Sequence, residues 1–226
     1  MFSIIAAAGD SSRFHLKKKQ FLKIKEKYIL ELCVEKFLDC SIPKIVVAVK
    51  KEDFLVAEKI LEKFKGKVSF VEGGNSRQET VKNAFLSEYK ETEKDDVFLV
   101  HDVARPFFEK EKLKELIETA KKSKAATLAT PIFDTVKYIE NHKIKHTIKR
   151  EDLLLSQTPQ AFSTKLYKKA IDFAEKENFI CTDDCELVEK LNKEISFIVS
   201  SKNNFKITTK EDMLFAEYLM SLEKRF

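Results

Sequence analysis

Ser3-Ile4-Ile5-Ala6-Ala7-Ala8, running straight into Gly9-Asp10-Ser11-Ser12-Arg13, is the stretch on which the fold turns. A short apolar run bounded by turn residues reads as a buried strand. The polar loop after it lies where a strand of an open sheet meets its ligand. Gly9 permits close backbone approach, and free amides together with Arg13 can hold phosphate oxygens. The loop is neither a Walker loop nor GxGxxG, so on these residues alone an ordinary strand-to-helix turn reads equally well.

Outward from this stretch the same alternation recurs. Residues 29–38 read as a helix, 44–49 as a strand, 52–64 as an amphipathic helix and 68–72 as a strand. A helix over 78–89, a strand at 97–100, a helix over 111–122 and a strand at 127–130 continue it. Apolar strands alternating with helices predict an α/β fold: a mainly parallel sheet, helices on both faces, right-handed crossovers. The rhythm breaks after Asp134, where residues 135–140 and 144–148 alternate about Asn141-His142-Lys143. That pattern predicts a projecting β-hairpin arm at about 134–150. Thr158-Pro159-Gln160 reads as a turn, followed by a helix near 183–191, a strand at 195–199 and a terminal helix from Glu211. With no repeat and no linker, residues 1–226 read as one domain carrying an arm.

Composition narrows the function classes. The chain is 43% hydrophobic and 35% charged, with 19 Phe and no Trp, which is ample core material. Its net charge of +5 arises from 42 basic and 37 acidic residues that interleave closely, as in Glu109-Lys110-Glu111-Lys112. That is a solvated surface, not the basic stripe of a nucleic-acid binder, yet it suits an anionic small molecule. Cys33, Cys40, Cys181 and Cys185 form no CxxC pair; a site on Cys181 and Cys185 is conceivable, but reduced thiols of a cytosolic protein are the simpler reading. The apolar start, Phe2 to Ala8, has no basic segment before it, and no run approaches the ~18 apolar residues of a membrane span. A cytoplasmic protein with no membrane partner is expected.

Three polar loops follow predicted strands and so converge on one sheet edge: Gly9 to Arg13, Gly73-Gly74-Asn75-Ser76-Arg77, and His101-Asp102-Val103-Ala104-Arg105-Pro106. A carboxylate directly after a buried strand, Asp102, is a natural ligand for Mg²⁺, which keeps several waters and bridges to substrate phosphates. The plainer alternative makes Asp102 and Arg105 a loop-shaping ion pair. Lys17-Lys18-Lys19-Gln20 in isolation is a solvated basic patch. Placed just after a phosphate-type loop, its lysines become point charges for a polyphosphate.

These pieces, in order, resemble the 2-C-methyl-D-erythritol 4-phosphate cytidylyltransferase family: Ala7-Ala8-Gly9 with Arg13, Lys19-Gln20, Gly73-Gly74 with Arg77, His101-Asp102 with Ala104-Arg105-Pro106, and Asp134-Thr135. Thr147 to Arg150, Gln157 to Gln160, Thr182-Asp183-Asp184, and Asn204 to Thr208 with Glu211-Asp212 continue the likeness over nearly the whole chain. The resemblance implies a Rossmann-like nucleotidyltransferase fold that uses CTP and Mg²⁺ and releases pyrophosphate. It implies that Arg13 and Lys19 grip the triphosphate, and that Ala7, Ala8, Gly9, Gly74, Asn75 and Thr80 recognise the cytidine. It places Asp102 and Arg105 at the nucleotide, with Asp102 at the metal, and Thr182 and Lys206 near a phosphorylated polyol acceptor. It further implies a homodimer whose arms bring Thr135 and Arg150 to the acceptor phosphate of the partner's site. Ser11 stands where the family's loop usually has a second glycine, Val103 replaces an alanine, and Lys149 replaces an acid before Arg150. A sibling, ribitol-5-phosphate cytidylyltransferase, shares the fold and most of these motifs.

Overall fold

A computed structural model describes residues 1–9, 18–90 and 95–222. Eleven strands are placed there: β1 Phe2–Ala6, β2 Lys23–Ile24, β3 Lys27–Tyr28, β4 Ile45–Val49, β5 Val68–Glu72, β6 Val97–Asp102, β7 Ala125–Pro131, β8 Val136–Glu140, β9 Lys143–Ile148, β10 Leu154–Ser163 and β11 Ser196–Val199. The α-helices are α1 Ile29–Asp39, α2 Phe54–Leu61, α3 Arg77–Glu88, α4 Lys110–Ser123, α5 Thr164–Lys176, α6 Asp184–Glu189 and α7 Lys210–Leu222.

Seven strands form one sheet in the order β11-β7-β10-β6-β1-β4-β5. Every neighbouring pair is parallel except the two made by β10, which runs antiparallel to β6 and β7. The expected mainly parallel α/β sheet is therefore present, with one reversed strand inside it. That strand corrects the reading of Thr158-Pro159-Gln160 as a turn. The segment lies within β10, the Thr158–Pro159 bond is cis, and the register shifts between Ser156 and Gln160. Asp102 and His101 likewise belong to the end of β6, not to a loop beyond it.

Side chains alternate along buried strands, so one strand feeds two cores. Ile5, Val47 and Leu99 point into a layer with α1, α2, α4 and α7, through Phe37, Leu61, Leu116 and Ala216 among others. Ile4, Val46 and Phe98 point to the opposite layer with α3, α5 and α6, through Phe85, Tyr167 and Leu187. In that second layer Phe98 packs edge-on to Tyr167 with centroids 4.9 Å apart. α5 was not anticipated, although Tyr167, Ala170, Ile171 and Ala174 mark its apolar face and Ser163 caps it by accepting from the Leu166 amide.

The chain starts at the middle of the sheet, builds outward through β4 and β5, then crosses back to lay β6 on the other side of β1. The gap between the carboxyl ends of β1 and β6 is thus the point where the winding reverses, and ligands of open α/β sheets bind at such points. Ala6 pairs with Asp102 in register there.

β8 and β9 form the separate two-stranded arm at the expected position. Its turn residues, Asn141 and His142, both have positive φ (50° and 58°), as a tight hairpin following the strand twist requires. Tyr138, Ile139 and Ile144 on this arm are exposed.

Candidate active site

An open cavity of about 350 Å³ occupies the winding reversal. Ala8 and Gly9 line it from the end of β1, Gly74, Asn75, Arg77 and Thr80 from the start of α3, Asp102 from β6, and Lys19 and Lys206 from outside. The β5–α3 loop reaches β1 because Gly73 has no side chain: a Cβ there would stand 2.3 Å from the Ala8 Cβ. Ser76 caps α3 by accepting from the Glu79 amide at 3.1 Å, and Glu79 accepts from the Asn75 amide at 2.7 Å. The Gly74 amide donates to the Thr80 hydroxyl at 3.1 Å. The amides of Gly74 and Asn75 are therefore held internally, and Thr80 shapes the loop as well as lining the cavity.

Asp102 is the electrostatic centre. Arg77 Nε donates to its Oδ1 at 2.8 Å and Lys206 Nζ to its Oδ2 at 2.7 Å. Burial alone would push this carboxyl up, but Arg77 and Lys206 outweigh it and hold Asp102 well below the usual carboxylate range. Behind Arg77, its Nη1 lies 2.7 Å from Asp184, which is fully buried and also accepts from the Tyr167 hydroxyl. Burial works against the Arg77 charge, yet Asp184 and Asp102 more than restore it. Tyr167, Asp184, Arg77, Asp102 and Lys206 thus form one chain of alternating partners from core to cavity.

A second network fixes the backbone at Asp102. The Asp102 amide donates to the Thr158 hydroxyl at 3.0 Å, and that hydroxyl lies 3.1 Å from His101 Nδ1. His101 Nε2 lies 3.0 Å from the Arg105 carbonyl, which can only accept. Nε2 therefore carries the proton and Nδ1 accepts from Thr158. Burial pushes the fully enclosed His101 down to about 3, so the ring is neutral.

The plainer alternative, a loop-shaping ion pair of Asp102 with Arg105, is not observed. Asp102 is taken by Arg77 and Lys206, while Arg105 Nη1 donates to the Asn204 carbonyl at 2.9 Å. Arg105 instead lines a second cavity of about 460 Å³, with Phe133, Asp134, Ser156, Gln157, Lys202 and Lys206. Arg105 Nε is buried there without a hydrogen-bond partner. The two cavities meet at Lys206.

The remaining expected residues divide between these chambers and their surroundings. Ala7 is buried behind the first cavity. Lys19 Nζ donates to the Ile207 carbonyl at 3.1 Å, next to Lys206. Lys18 turns the other way, to Asp53 and Glu52 at 2.7 and 2.6 Å. Arg13 and Lys17 lie outside the described residues. Thr182 donates to Glu186 at the start of α6, beside Asp183, which accepts from Ser156 in the wall of the second cavity. Thr135 and Arg150 stand exposed at the foot of the arm, where Arg150 donates to the Phe133 carbonyl. Neither lines the first cavity. Asp184 and Tyr167 went unrecognised as site residues; the signal for Asp184 was its place in the doublet Asp183-Asp184. The four cysteines are free thiols, and among the described residues no cluster of three or more His, Cys, Asp or Glu is placed for a metal. No helix among these residues is long and apolar enough to cross a membrane.

Lysines and a clamped carboxylate gathered where a parallel sheet reverses its winding, with room for a nucleotide, define the nucleotidyltransferase class of α/β protein. Comparison with known proteins narrows it. The family model for 2-C-methyl-D-erythritol 4-phosphate cytidylyltransferase matches residues 1–222. The chain is 37% identical to the enzyme of that name from Clostridioides difficile, over 98% of this chain and 94% of that one. Its counterpart in Bacillus cytotoxicus is also 37% identical, over 98% of both. Among solved structures, the 4-diphosphocytidyl-2C-methyl-D-erythritol synthase of Anaerococcus prevotii superposes with a TM-score of 0.85 at 27% identity, covering 97% of this chain and 95% of the other. The chain belongs to the 2-C-methyl-D-erythritol 4-phosphate cytidylyltransferase family.

Proposed function

We propose that this chain transfers the CMP group of CTP to 2-C-methyl-D-erythritol 4-phosphate, releasing pyrophosphate, in the non-mevalonate route to isoprenoids. The carrying observation is the clamped Asp102 at the β1–β6 switch point, facing Lys206 and, across the same cavity, Lys19. CTP occupies the first cavity, its base against Ala8, Gly74 and Asn75 and its phosphates toward Lys19. The acceptor occupies the second, which Arg105 lines and where Lys206 reaches both chambers.

The nucleophile is an oxygen of the acceptor's phosphate monoester. Its second pKa is ~6, so at neutral pH it is already ionised and needs no general base. That oxygen bonds to the α-phosphorus as the bond to the α–β bridging oxygen breaks, and the electron pair leaves on pyrophosphate. The barrier lies in bringing two anions together and in the charge that develops at the α-phosphorus. Lys19 and Lys206 meet that charge from the cavity wall, and the resemblance adds Arg13 to them.

Mg²⁺ fits this residue set. Magnesium is commonly held by one or two carboxylates completed by substrate phosphates and water, and Asp102 lines the cavity with its Oδ2 held by a lysine whose side chain is 42% exposed. Asp102 would hold the ion, which when bound supplies charge neutralisation at the phosphates.

A homodimer completes the reading. A lone two-stranded hairpin is marginal in water, and Tyr138, Ile139 and Ile144 stand exposed on it. A second copy buries them, and Thr135 and Arg150 then serve the partner's acceptor site. Parallel assays with CTP, Mg²⁺ and either methylerythritol phosphate or ribitol 5-phosphate, following pyrophosphate release, test the proposal. Turnover should favour the methylerythritol ester; preference for the ribitol ester, or none for either, overturns it.

A further inference from the structure

Lys202 stands in the wall of the second cavity beside Arg105 and Lys206, with Asp134 in the same wall. Its ammonium lies 3.7 Å from the centroid of the Phe133 ring, and no described carboxylate pairs with it. A ring face attracts a cation through its quadrupole and so fixes its place without cancelling its charge. The neighbouring lysine differs in that respect. Lys206, in the same wall, is paired with Asp102. Lys202 is therefore a positioned and uncompensated cation at the mouth of a chamber.

Its support is the residue that also holds Arg150. The Phe133 carbonyl accepts from the Arg150 guanidinium, while its half-exposed ring carries Lys202. Phe133 thus holds Lys202 beside a cavity that Arg105 also lines. A cation–π contact at the edge of water is weak enough to yield to a dianion.

We propose that Lys202 is a further specificity residue for the acceptor: it leaves the Phe133 ring to bind the acceptor's phosphate monoester and selects phosphorylated over neutral polyols. This rests on the assignment of the second cavity to the acceptor. The test is calorimetric binding of 2-C-methyl-D-erythritol 4-phosphate to wild type, Lys202→Gln and Lys202→Arg, with KM for CTP measured alongside. Loss of one charge-assisted contact should weaken acceptor binding about tenfold in Lys202→Gln. Lys202→Arg should recover most of it, since a guanidinium also stacks on an aromatic face, and KM for CTP should stay within about twofold. Acceptor binding in Lys202→Gln within about twofold of wild type overturns the Lys202 role and leaves the cavity assignment standing. Equal weakening toward CTP and acceptor also overturns it, because the lysine would then act only on the general field. A wild type that does not bind the ester removes the acceptor assignment and this role together.

Discussion

The two cavities are neighbours built by different means. The first is framed by strand ends and the opening turn of α3, so sheet register and the buried Tyr167–Asp184–Arg77 chain dictate where Asp102 sits. The second is framed by segments leaving the sheet: the foot of the arm, the exposed start of β10 and residues 202–206. One chamber is held by the core; the other is held by side chains on its rim. The difference suits a transferase whose donor nucleotide stays constant while siblings on the same scaffold accept different polyol phosphates. On the proposed assignment, fixed geometry would serve the reacting triphosphate and adjustable cations the acceptor.

The sharpest way to break this contrast is Lys19→Ala. Loss of one preorganised charge-stabilising donor should lower kcat by on the order of 10²–10³, measured by pyrophosphate release with circular dichroism as the folding control. Turnover near wild type would remove the first cavity from the chemistry. A smaller effect is expected on the other side. Arg150→Ala should raise KM for the acceptor by about tenfold, the loss of one charged contact, with KM for CTP little changed. Collapse of CTP affinity would place Arg150 with the nucleotide and erase the division between chambers.

The smallest expected effect concerns stability. His101 stays neutral when folded because burial pushes it down to about 3, whereas an unfolded histidine titrates near ~6.5. Between those values the unfolded chain binds a proton that the folded chain does not, so acidification should erode stability from about pH 6.5 downward. The slope from this group approaches about 1.4 kcal/mol per pH unit at most. Urea titrations at stepped pH should show it, and His101→Asn should flatten it. An unchanged slope would mean that the Thr158–His101–Arg105 network does not fix the ring as the geometry implies.

How far the sequence disclosed all this also differs between regions. The parallel strands, their flanking helices apart from α5 and the hairpin were legible because apolar runs, helical periodicity and the Asn141-His142 turn are local signals. β10 was not. Gln157, Thr158 and Gln160 look like turn material, yet they are buried because Asn204, His101 and Asp183 satisfy them from distant parts of the chain. The loops at the first cavity could be placed from their strand-end positions, and Thr80 and Lys206 only through the family resemblance, but the pairing of these residues could not. Arg105, three residues from Asp102, offers the local alternative for a partner, whereas Arg77 and Lys206 reach it from 25 and 104 positions away. Sequence distance hides such contacts; the sheet's return crossing creates them.

The most direct test is Asp102→Asn, which keeps the shape of the side chain and removes its charge. With Arg77 and Lys206 left without their common anion and no carboxylate for Mg²⁺, kcat/KM for CTP should fall at least about 100-fold while the circular dichroism spectrum is unchanged. A folded Asp102→Asn protein turning over within about threefold of wild type would contradict the account.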